Sequence, residues 1–249
     1  MKKRPKIAAI IPARYHSTRF EGKPLADIGG KPMIYHVYKH VQLCPLIDYL
    51  AVATDDERIA RAVKAFGGNV VMTSDKHQTG TDRVAEAAGS LDADIIVNVQ
   101  GDEPLMQAEM VEQIIRPHLC DSMPDVTTMV TRIQDIGDVI DNTVVKVVKD
   151  KHDFALFLTR APIPYPKTRR GGYVVYKQVG LYAFKKQFLL DFTKMDQTPL
   201  EMIEGVELLR ALENGHRVKI VETEHSTISV DTLSDLHEAR RVMQGKGMI

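Results

Sequence analysis

The chain has 249 residues, and its 33 lysines and arginines balance 33 aspartates and glutamates, so the formal net charge is zero. This length is sufficient for one or two domains with a substantial core. Zero net charge argues against a dedicated nucleic-acid-binding protein, which is normally basic, and gives no support for binding to an anionic membrane. Two cysteines, Cys44 and Cys120, are too few for a disulfide framework and are typical of a reducing compartment.

Short β-branched runs alternate with longer segments of helical period from the start of the chain. The first apolar run, 7–11, is shorter than the roughly 7–15 residues of a signal-peptide core, so we interpret it as a strand of a cytoplasmic protein. The predicted strands cover 6–11, 48–54, 69–73, 94–100 and 126–131, and the predicted helices cover 31–43, 55–66, 81–90 and 107–119. The alternation predicts a mostly parallel sheet with helices on both faces, in which ligands bind beyond the carboxyl ends of the strands.

The pattern changes in a region that we call the β-rich excursion, around 130–184. Strands are predicted there at 144–148, 155–158 and 173–184, on either side of a proline-rich turn at 161–166. A helix at 199–213, a strand at 217–221 and a helix at 233–244 follow. Because no linker or internal repeat interrupts the chain, the sequence predicts a single domain over residues 1–249 that includes this excursion.

The loop after the first strand, 12–25, carries Arg14, Arg19 and Lys23. Residues 1–31 contain eight basic and two acidic residues, a net charge of +6. Cations at the carboxyl edge of a parallel sheet suit a polyphosphate, although a basic run is more often a solvated surface. The loop has no GxxxxGK[ST] and no GxGxxG, which argues against a P-loop nucleotidase and against an NAD-dependent oxidoreductase.

Carboxylates and polar loops follow other predicted strands. Asp102 lies in QGDEP, directly after a strand, where it could hold Mg²⁺ together with substrate phosphates or merely form a turn before Pro104. The polar loop at 77–83 either caps a helix or contacts a ligand. His36 and His40 are four residues apart, but this spacing alone is weak support for a zinc site.

Motifs along the whole chain resemble those of the sugar-acid cytidylyltransferases, and most closely those of the 3-deoxy-manno-octulosonate (Kdo) cytidylyltransferases. They are IIPARYHSTRFEGKPL at 10–25, GKPMIYHV at 30–37, VATDD at 52–56, HQTGTDR at 77–83, VNVQGDEP at 97–104, TRAPIPY at 159–165, QVGLYAF at 178–184, PLEMIEGVELLRALENG at 199–215 and SVDTLSDL at 229–236. The motifs stay in family order.

The resemblance implies a three-layer α/β/α Rossmann-like nucleotide-diphospho-sugar transferase fold. It implies that CTP and a Kdo-type sugar react to give the CMP-sugar and pyrophosphate, for lipopolysaccharide synthesis. The anomeric hydroxyl would attack the α-phosphorus in line, so catalysis would depend on positioning and charge neutralisation, with no protein nucleophile. A homodimer formed through the excursion is also implied.

The same resemblance implies a role for individual residues. The implied metal ligands are Asp102 and Asp231, holding Mg²⁺, and the implied catalytic set is Arg14, Lys23, Asp102 and Asp231. The implied nucleotide-binding residues are Pro12, Ala13, Arg14, Arg19, Lys23, Thr54, Asp55, Gln78, Gly80 and Arg83. The implied sugar-binding residues are Gln100, Arg160, Gln178, Tyr182 and Glu201.

The sequence departs from the family pattern at the sugar end of the site. Gln178 replaces the usual histidine, and Ser229 replaces a glycine before Val230 and Asp231. Glutamine keeps hydrogen-bonding capacity but cannot carry a positive charge. A substrate such as the 8-amino-8-deoxy form of Kdo, whose ammonium a charged histidine would repel, is therefore one hypothesis. The alternatives are a cytidylyltransferase for another sugar acid, such as sialic acid, and a catalytically silent nucleotide-binding relative.

Overall fold

The computed structural model describes residues 4–17, 20–120, 123–167, 174–225 and 227–249. The strands are β1 (Ile7–Ala13), β2 (Asp27–Ile28), β3 (Lys31–Pro32), β4 (Tyr49–Thr54), β5 (Val70–Met72), β6 (Ile95–Val99), β7 (Val126–Arg132), β8 (Lys146–Lys149), β9 (Ala155–Thr159), β10 (Tyr176–Lys185) and β11 (Val218–Thr223). The α-helices are α1 (Met33–Gln42), α2 (Glu57–Ala65), α3 (Gly80–Gly89), α4 (Ala108–Ile115), α5 (Ile136–Ile140), α6 (Lys186–Phe192), α7 (Pro199–Glu204), α8 (Leu208–Glu213) and α9 (Leu233–Gly245).

The main sheet has the strand order β11-β7-β10-β6-β1-β4-β5. Strands β6, β1, β4 and β5 are parallel, and β7 pairs in parallel with β11. Strand β10 is antiparallel to both of its neighbours, β6 and β7. The last strand of the β-rich excursion is therefore an inner strand of the main sheet, and β8 and β9 extend the sheet from it.

Strand β1 shows why the sheet needs helices on both faces. All seven of its residues are buried. Ile7, Ala9 and Ile11 pack into a core cluster with α1 and α4, whereas Ala8 and Ile10 pack into a second cluster with α3, α6 and α8. Successive side chains of a strand point to opposite faces, so an entirely apolar strand has to be covered twice. This confirms the predicted α/β fold with its mostly parallel sheet.

Several elements differ from the sequence-based prediction. The predicted helix at 199–213 is broken into α7 and α8 at Gly205, which has a φ of +62° and ends α7 in a left-handed conformation. The short β2–β3 pair and helices α5 and α6 were not predicted. Among the described residues, no helix is both long enough and apolar enough to cross a membrane.

The carboxyl ends of the parallel strands meet at one edge of the sheet. Ala13, the last residue of β1, is in register with Thr54, the last residue of β4. The segment before α9 joins this edge because the Val230 amide donates to the Asp102 carbonyl at 2.9 Å. Helix α9 packs in a third cluster with Ile28 and Met33, so the C-terminal segment is attached beside the loop that follows β1.

Candidate active site

Lys23, Asp102 and Asp231 come together at this edge. Lys23 Nζ donates to Asp102 Oδ2 at 2.6 Å and to Asp231 Oδ1 at 3.1 Å. Asp102 follows β6, and Asp231 directly precedes Thr232, the N-cap of α9, whose capping box includes Asp235. The site therefore joins three residues whose loops are fixed by different secondary-structure elements.

Local contacts of the β1 loop fix the position of Lys23. Lys23 opens a 3₁₀ turn (Lys23–Leu25) after Gly22, which has a φ of +68° and donates its amide to the Tyr15 carbonyl at 2.8 Å. The Arg58 guanidinium lies 3.3 Å from the centroid of the Tyr15 ring. Arg14 is exposed on the same loop, whereas Arg19 lies outside the described residues. Two of the three cations predicted for the triphosphate are thus described, and both lie on this loop.

Arg58 is itself held by the N-cap of α2. Asp56 accepts hydrogen bonds from the backbone amides of Arg58 and Ile59. The hydrogen bond from the Arg58 side chain, aided by the backbone bonds and the ion pair, lowers the pKa of Asp56 to about 2. Thr54 Oγ1 accepts from the Asp56 amide at 3.2 Å. The ends of β1 and β4 are therefore connected through Tyr15 and Arg58.

The amino terminus of α3 approaches the end of β1. A Cβ atom at Gly80 would lie 3.3 Å from Pro12 Cγ and 3.5 Å from Gln100 Oε1, so these three predicted residues are neighbours. Thr79 caps α3 in a capping box with Asp82. The first amides of a ten-residue helix favour an anion. Predicted nucleotide residues and one predicted sugar residue are therefore adjacent here.

Arg83 is buried and has protein partners on several sides. Its Nη1 donates to Thr73 Oγ1 at 2.5 Å and to the Ser74 carbonyl at 3.3 Å, and its Nη2 lies 3.4 Å from Asp55 Oδ2. Arg83 and Asp55 thus connect α3 to the loops after β4 and β5. Gln78 is exposed at the start of this region. Direct contact of these residues with a nucleotide stays a prediction.

Glu103 is a buried carboxyl group that the sequence places at the ligand edge with Asp102 but to which it assigns no role. It is 4% exposed, and its Oε2 has no hydrogen-bond partner among the described residues. Burial, together with repulsion from Asp102, raises the pKa of Glu103 to about 8. Glu103 Oε1 would lie 3.3 Å from a Cβ atom at Gly180, which the Gln100 side chain also approaches. Its place beside Asp102 in QGDEP was the only signal in the sequence.

Tyr182 and Gln178 lie on β10, which flanks these carboxyl groups. Burial, with repulsion from Glu207, Glu103 and Asp102, raises the pKa of the Tyr182 hydroxyl. Gln178 Nε2 donates to Thr128 Oγ1 at 3.2 Å. The predicted sugar residues Gln100, Gln178 and Tyr182 therefore all belong to β10 or to the segment next to it.

The side chains of Gln100, Asn98 and Thr81 form a hydrogen-bond network that the sequence analysis did not predict. Gln100 Nε2 donates to Asn98 Oδ1 at 3.1 Å, and Asn98 Nδ2 donates to Thr81 Oγ1 at 3.3 Å. Burial raises the pKa of Glu207, and a hydrogen bond from Thr81 opposes this shift. Asn98 interrupts the otherwise apolar run IIVNV, and because a buried amide needs hydrogen-bond partners, the sequence could have predicted polar neighbours there.

The other two predicted sugar-binding residues, Arg160 and Glu201, do not lie on or next to β10. Arg160 donates to the backbone carbonyls of Glu204, Asn142 and Thr143 at 2.7, 3.1 and 3.0 Å. Glu201 is buried and accepts two hydrogen bonds from Arg210, at 2.8 and 2.5 Å. These contacts connect α7, α8 and β9 to one another. They do not favour a role in sugar binding, which for both residues stays a prediction.

The carboxylates of Asp102 and Asp231 supply the oxygen donors that a hard cation prefers. Among the described residues, no group of three or more histidine, cysteine, aspartate or glutamate side chains could hold a metal ion. Mg²⁺ is commonly bound by one or two carboxylates plus substrate phosphates, and the two carboxylates already share one cationic partner. His36 Nε2 instead contacts the Ile28 carbonyl at 2.8 Å, which agrees with a structural role for that residue.

Comparison with known proteins defines the class of the molecule. A sequence model of the family described as Cytidylyltransferase matches residues 8–221. The parallel sheet and this match together define a nucleotidyltransferase of the cytidylyltransferase class.

Full-length relatives identify the family within this class. The 3-deoxy-manno-octulosonate cytidylyltransferase of Geotalea uraniireducens (strain Rf4) is 51% identical over 243 residues, covering 94% of this chain and 97% of that protein. The protein of the same name from Geobacter metallireducens (strain ATCC 53774 / DSM 7210 / GS-15) is 50% identical over 241 residues, covering 93% and 95%. A solved structure of CMP:2-keto-3-deoxy-manno-octonic acid synthetase complexed with CTP has a TM-score of 0.92 at 37% identity, covering 97% of this chain and 99% of that one. The chain belongs to the family of 3-deoxy-manno-octulosonate cytidylyltransferases, which confirms the resemblance in its motifs.

Proposed function

We propose that this enzyme transfers CMP from CTP to the anomeric hydroxyl of Kdo, releasing pyrophosphate, as a step in lipopolysaccharide synthesis. The observation that carries the proposal is the convergence of Lys23, Asp102 and Asp231 at the carboxyl edge of the sheet. This is the edge at which parallel α/β sheets bind ligands. The names of the 51% and 50% identical relatives support the choice of sugar.

The nucleotide lies, in this proposal, along the ends of β1 and β4 and the start of α3. Arg14, Arg19 and Lys23 bind the triphosphate, and Pro12, Ala13 and the first amides of α3 at Gly80 shape the pocket. The side of the nucleotide pocket away from the β1 loop is formed by Thr54, Asp55, Gln78 and Arg83. The ion contact between Asp55 and Arg83 and the hydrogen bonds of Arg83 support a fixed pocket wall there.

Asp102 and Asp231 are the proposed ligands of Mg²⁺. When bound, the ion neutralises charge on the reacting phosphate and activates the sugar oxygen. The Val230–Asp102 backbone bond holds together the two chain segments that carry these carboxylates. Positioning by these fixed groups, together with the cations of the β1 loop, accounts for in-line transfer without a protein nucleophile.

The sugar lies, in this proposal, against β10, where Gln100, Gln178 and Tyr182 donate or accept hydrogen bonds. Glu103 and Glu207 belong to the same polar wall, because both raise the pKa of the Tyr182 hydroxyl. Gln178 in place of a histidine makes the 8-amino analogue of Kdo the second acceptor to be tested.

We also propose that the enzyme is a homodimer that works in the cytoplasm. The β-rich excursion and the adjoining α7 expose large apolar side chains, among them Ile140, Leu156, Tyr165 and Ile203, with Tyr165 86% exposed. Exposed apolar side chains that lie together mark protein–protein contacts, and we propose that these four belong to one interface. Cys44 and Cys120 are both unpaired thiols, which supports a reducing compartment.

The test of the proposed function is pyrophosphate release from CTP with Mg²⁺ and a panel of acceptors: Kdo, its 8-amino analogue and sialic acid. We expect the highest kcat/KM with Kdo or its 8-amino analogue and none with sialic acid. Asp102→Asn is expected to keep the fold and to lose on the order of 10²-fold or more in turnover, because it removes a ligand of the ion that neutralises transition-state charge.

Asp191→Asn is the matched control for this substitution. Asp191 is an exposed residue of α6 and contacts the Gln187 side chain; α6 follows the end of β10 that pairs with the start of β6, away from the carboxyl ends of the parallel strands. Near wild-type turnover of the Asp102→Asn protein would remove the metal assignment, and release of pyrophosphate only with sialic acid would remove the Kdo assignment.

A further inference from the structure

Lys23 lies between the two carboxylates to which we assign the metal ion. Its Nζ is 2.6 Å from Asp102 Oδ2 and 3.1 Å from Asp231 Oδ1. Two carboxylates that share a site repel each other when both are charged. The ammonium relieves this repulsion, so the pair has an internal counter-ion before any ligand arrives.

The ammonium and a metal ion exclude each other. Mg²⁺ binds oxygen ligands at about 2.0–2.1 Å, so an ion held by both carboxylates would take the space of the Lys23 head group. The backbones that carry the two carboxylates are restrained, because the Val230 amide donates to the Asp102 carbonyl and the Asp231 amide donates to Asp235 Oδ2 at 3.0 Å. Lysine has a flexible four-carbon stem. Lys23 is therefore the part of the site that moves.

A bound triphosphate would offer the Lys23 ammonium an alternative anionic partner. Lys23 ends the same loop that carries Arg14, and the Gly22–Tyr15 backbone bond closes this loop at its base. The Lys23 side chain is only 14% exposed, whereas the Asp231 side chain is 37% exposed. The flexible stem of Lys23 lets its head group turn toward phosphates bound at this loop, while a cation reaches the carboxylates from the more exposed side of Asp231.

We propose that Lys23 is a place-holder cation that couples nucleotide binding to metal binding, an inference that rests on the proposed function. Without nucleotide, Lys23 closes the carboxylate pair and metal affinity is low. The triphosphate withdraws the ammonium, and the metal ion replaces it. Because such coupling is reciprocal, bound metal increases the affinity for the nucleotide by the same factor.

The test measures Mn²⁺ binding to the nucleotide-free protein, from the electron paramagnetic resonance signal of free Mn²⁺. We expect Lys23→Met, which keeps the side-chain length but removes the charge, to bind Mn²⁺ at least tenfold more tightly than the wild type. Lys23→Arg retains a cation and is expected to stay within about threefold of the wild type. Lys23→Gln serves as a second neutral variant in case the methionine protein folds poorly.

Lys177→Met controls for a general loss of positive charge. Lys177 is near the site and lowers the pKa of Glu103 through its charge, but its Nζ donates to Asp138 at 2.7 Å. We expect its effect on Mn²⁺ affinity to be less than threefold. An unchanged or weakened affinity in both neutral Lys23 variants, or an equal gain in Lys177→Met, would overturn the place-holder role.

One further variant separates this inference from the proposed function. Combining Asp102→Asn with Lys23→Met should abolish the gain in Mn²⁺ affinity. If Asp102→Asn weakens Mn²⁺ binding in the presence of CTP, but Lys23→Met has no effect without CTP, the metal site stands and the place-holder role fails. If Asp102→Asn leaves Mn²⁺ binding unchanged under both conditions, the metal assignment and this inference fail together.

Discussion

Substitution of Glu201 distinguishes between two roles for this residue. The sequence motif implies sugar binding, whereas the structure shows a buried ion pair. Its two carboxylate oxygens accept from Arg210 Nε and Nη2, and both side chains are at most 4% exposed. Arg210 also donates to the Phe192 carbonyl at 3.2 Å and lies against the Phe192 ring. The substitution Glu201→Gln keeps the shape of the side chain and removes its charge.

The expected cost follows from the arginine that remains. Removing one partner of a buried pair leaves an uncompensated charge and costs about 3–5 kcal/mol. At this chain length, each kcal/mol lowers Tm by about 2–4 °C, so Tm should fall by about 6–20 °C. Replacing both residues by Glu201→Gln with Arg210→Met should recover part of the loss, because no buried charge is then left unpaired.

Urea and thermal unfolding measure this cost, and Glu238→Gln is the control. Glu238 pairs with Arg241 on the surface of α9, with side chains 44% and 74% exposed, so its substitution should leave the free energy of unfolding nearly unchanged. A Glu201→Gln protein with wild-type stability and a KM for the sugar raised tenfold or more would refute the structural role and support sugar binding.

Three further predictions concern the site wall, the core and the exposed apolar surface. Gly180→Ala places a Cβ atom 2.9 Å from Gln100 Cγ, so we expect a raised KM for the sugar with an unchanged KM for CTP; equal changes in both would contradict the placement of Gln100. Burial lowers the pKa of His118 to about 4, so the unfolded chain binds its proton below about pH 6.5 and the folded chain only near pH 4. Stability should therefore fall by about 3 kcal/mol as the pH drops from 6.5 to 4, and urea unfolding of His118→Gln should lose this slope; parallel pH profiles would contradict it. Ile203→Asp should shift the mass measured by light scattering from dimer to monomer, and an unchanged mass would exclude α7 from the interface.

The centre of the sheet could be predicted from the sequence because β1 and β6 are almost entirely apolar. Residues 7–11 and 95–99 must be buried on both faces, and this alone indicates a parallel sheet covered by helices. The polar residues that directly follow these runs, such as Asp102, could be assigned to the ligand edge for the same reason. Strand β10 could not be placed, because nothing in its local pattern says that it enters between β6 and β7.

The pairing of side chains was harder to predict than their location. Lys23 and Asp231 are 208 positions apart, and only the packing of α9 beside the β1 loop brings them together. Arg160 and Glu201 have the residue types that an acidic sugar needs, but backbone carbonyls and Arg210 satisfy them. Residue type indicates which chemistry is possible, whereas the choice between ligand and core depends on partners that local sequence does not reveal.

Phosphorus NMR of a reaction containing CTP, Mg²⁺ and Kdo tests the central claim most directly. CMP transfer predicts that the three CTP signals are replaced by one phosphodiester signal from the sugar nucleotide and by a pyrophosphate signal of twice its integral, because the equimolar products carry one and two phosphorus atoms. Neither product signal should be detectable with Asp102→Asn over the same reaction time. Formation of CDP together with inorganic phosphate or a sugar phosphomonoester would show attack at the γ-phosphorus and would contradict the account.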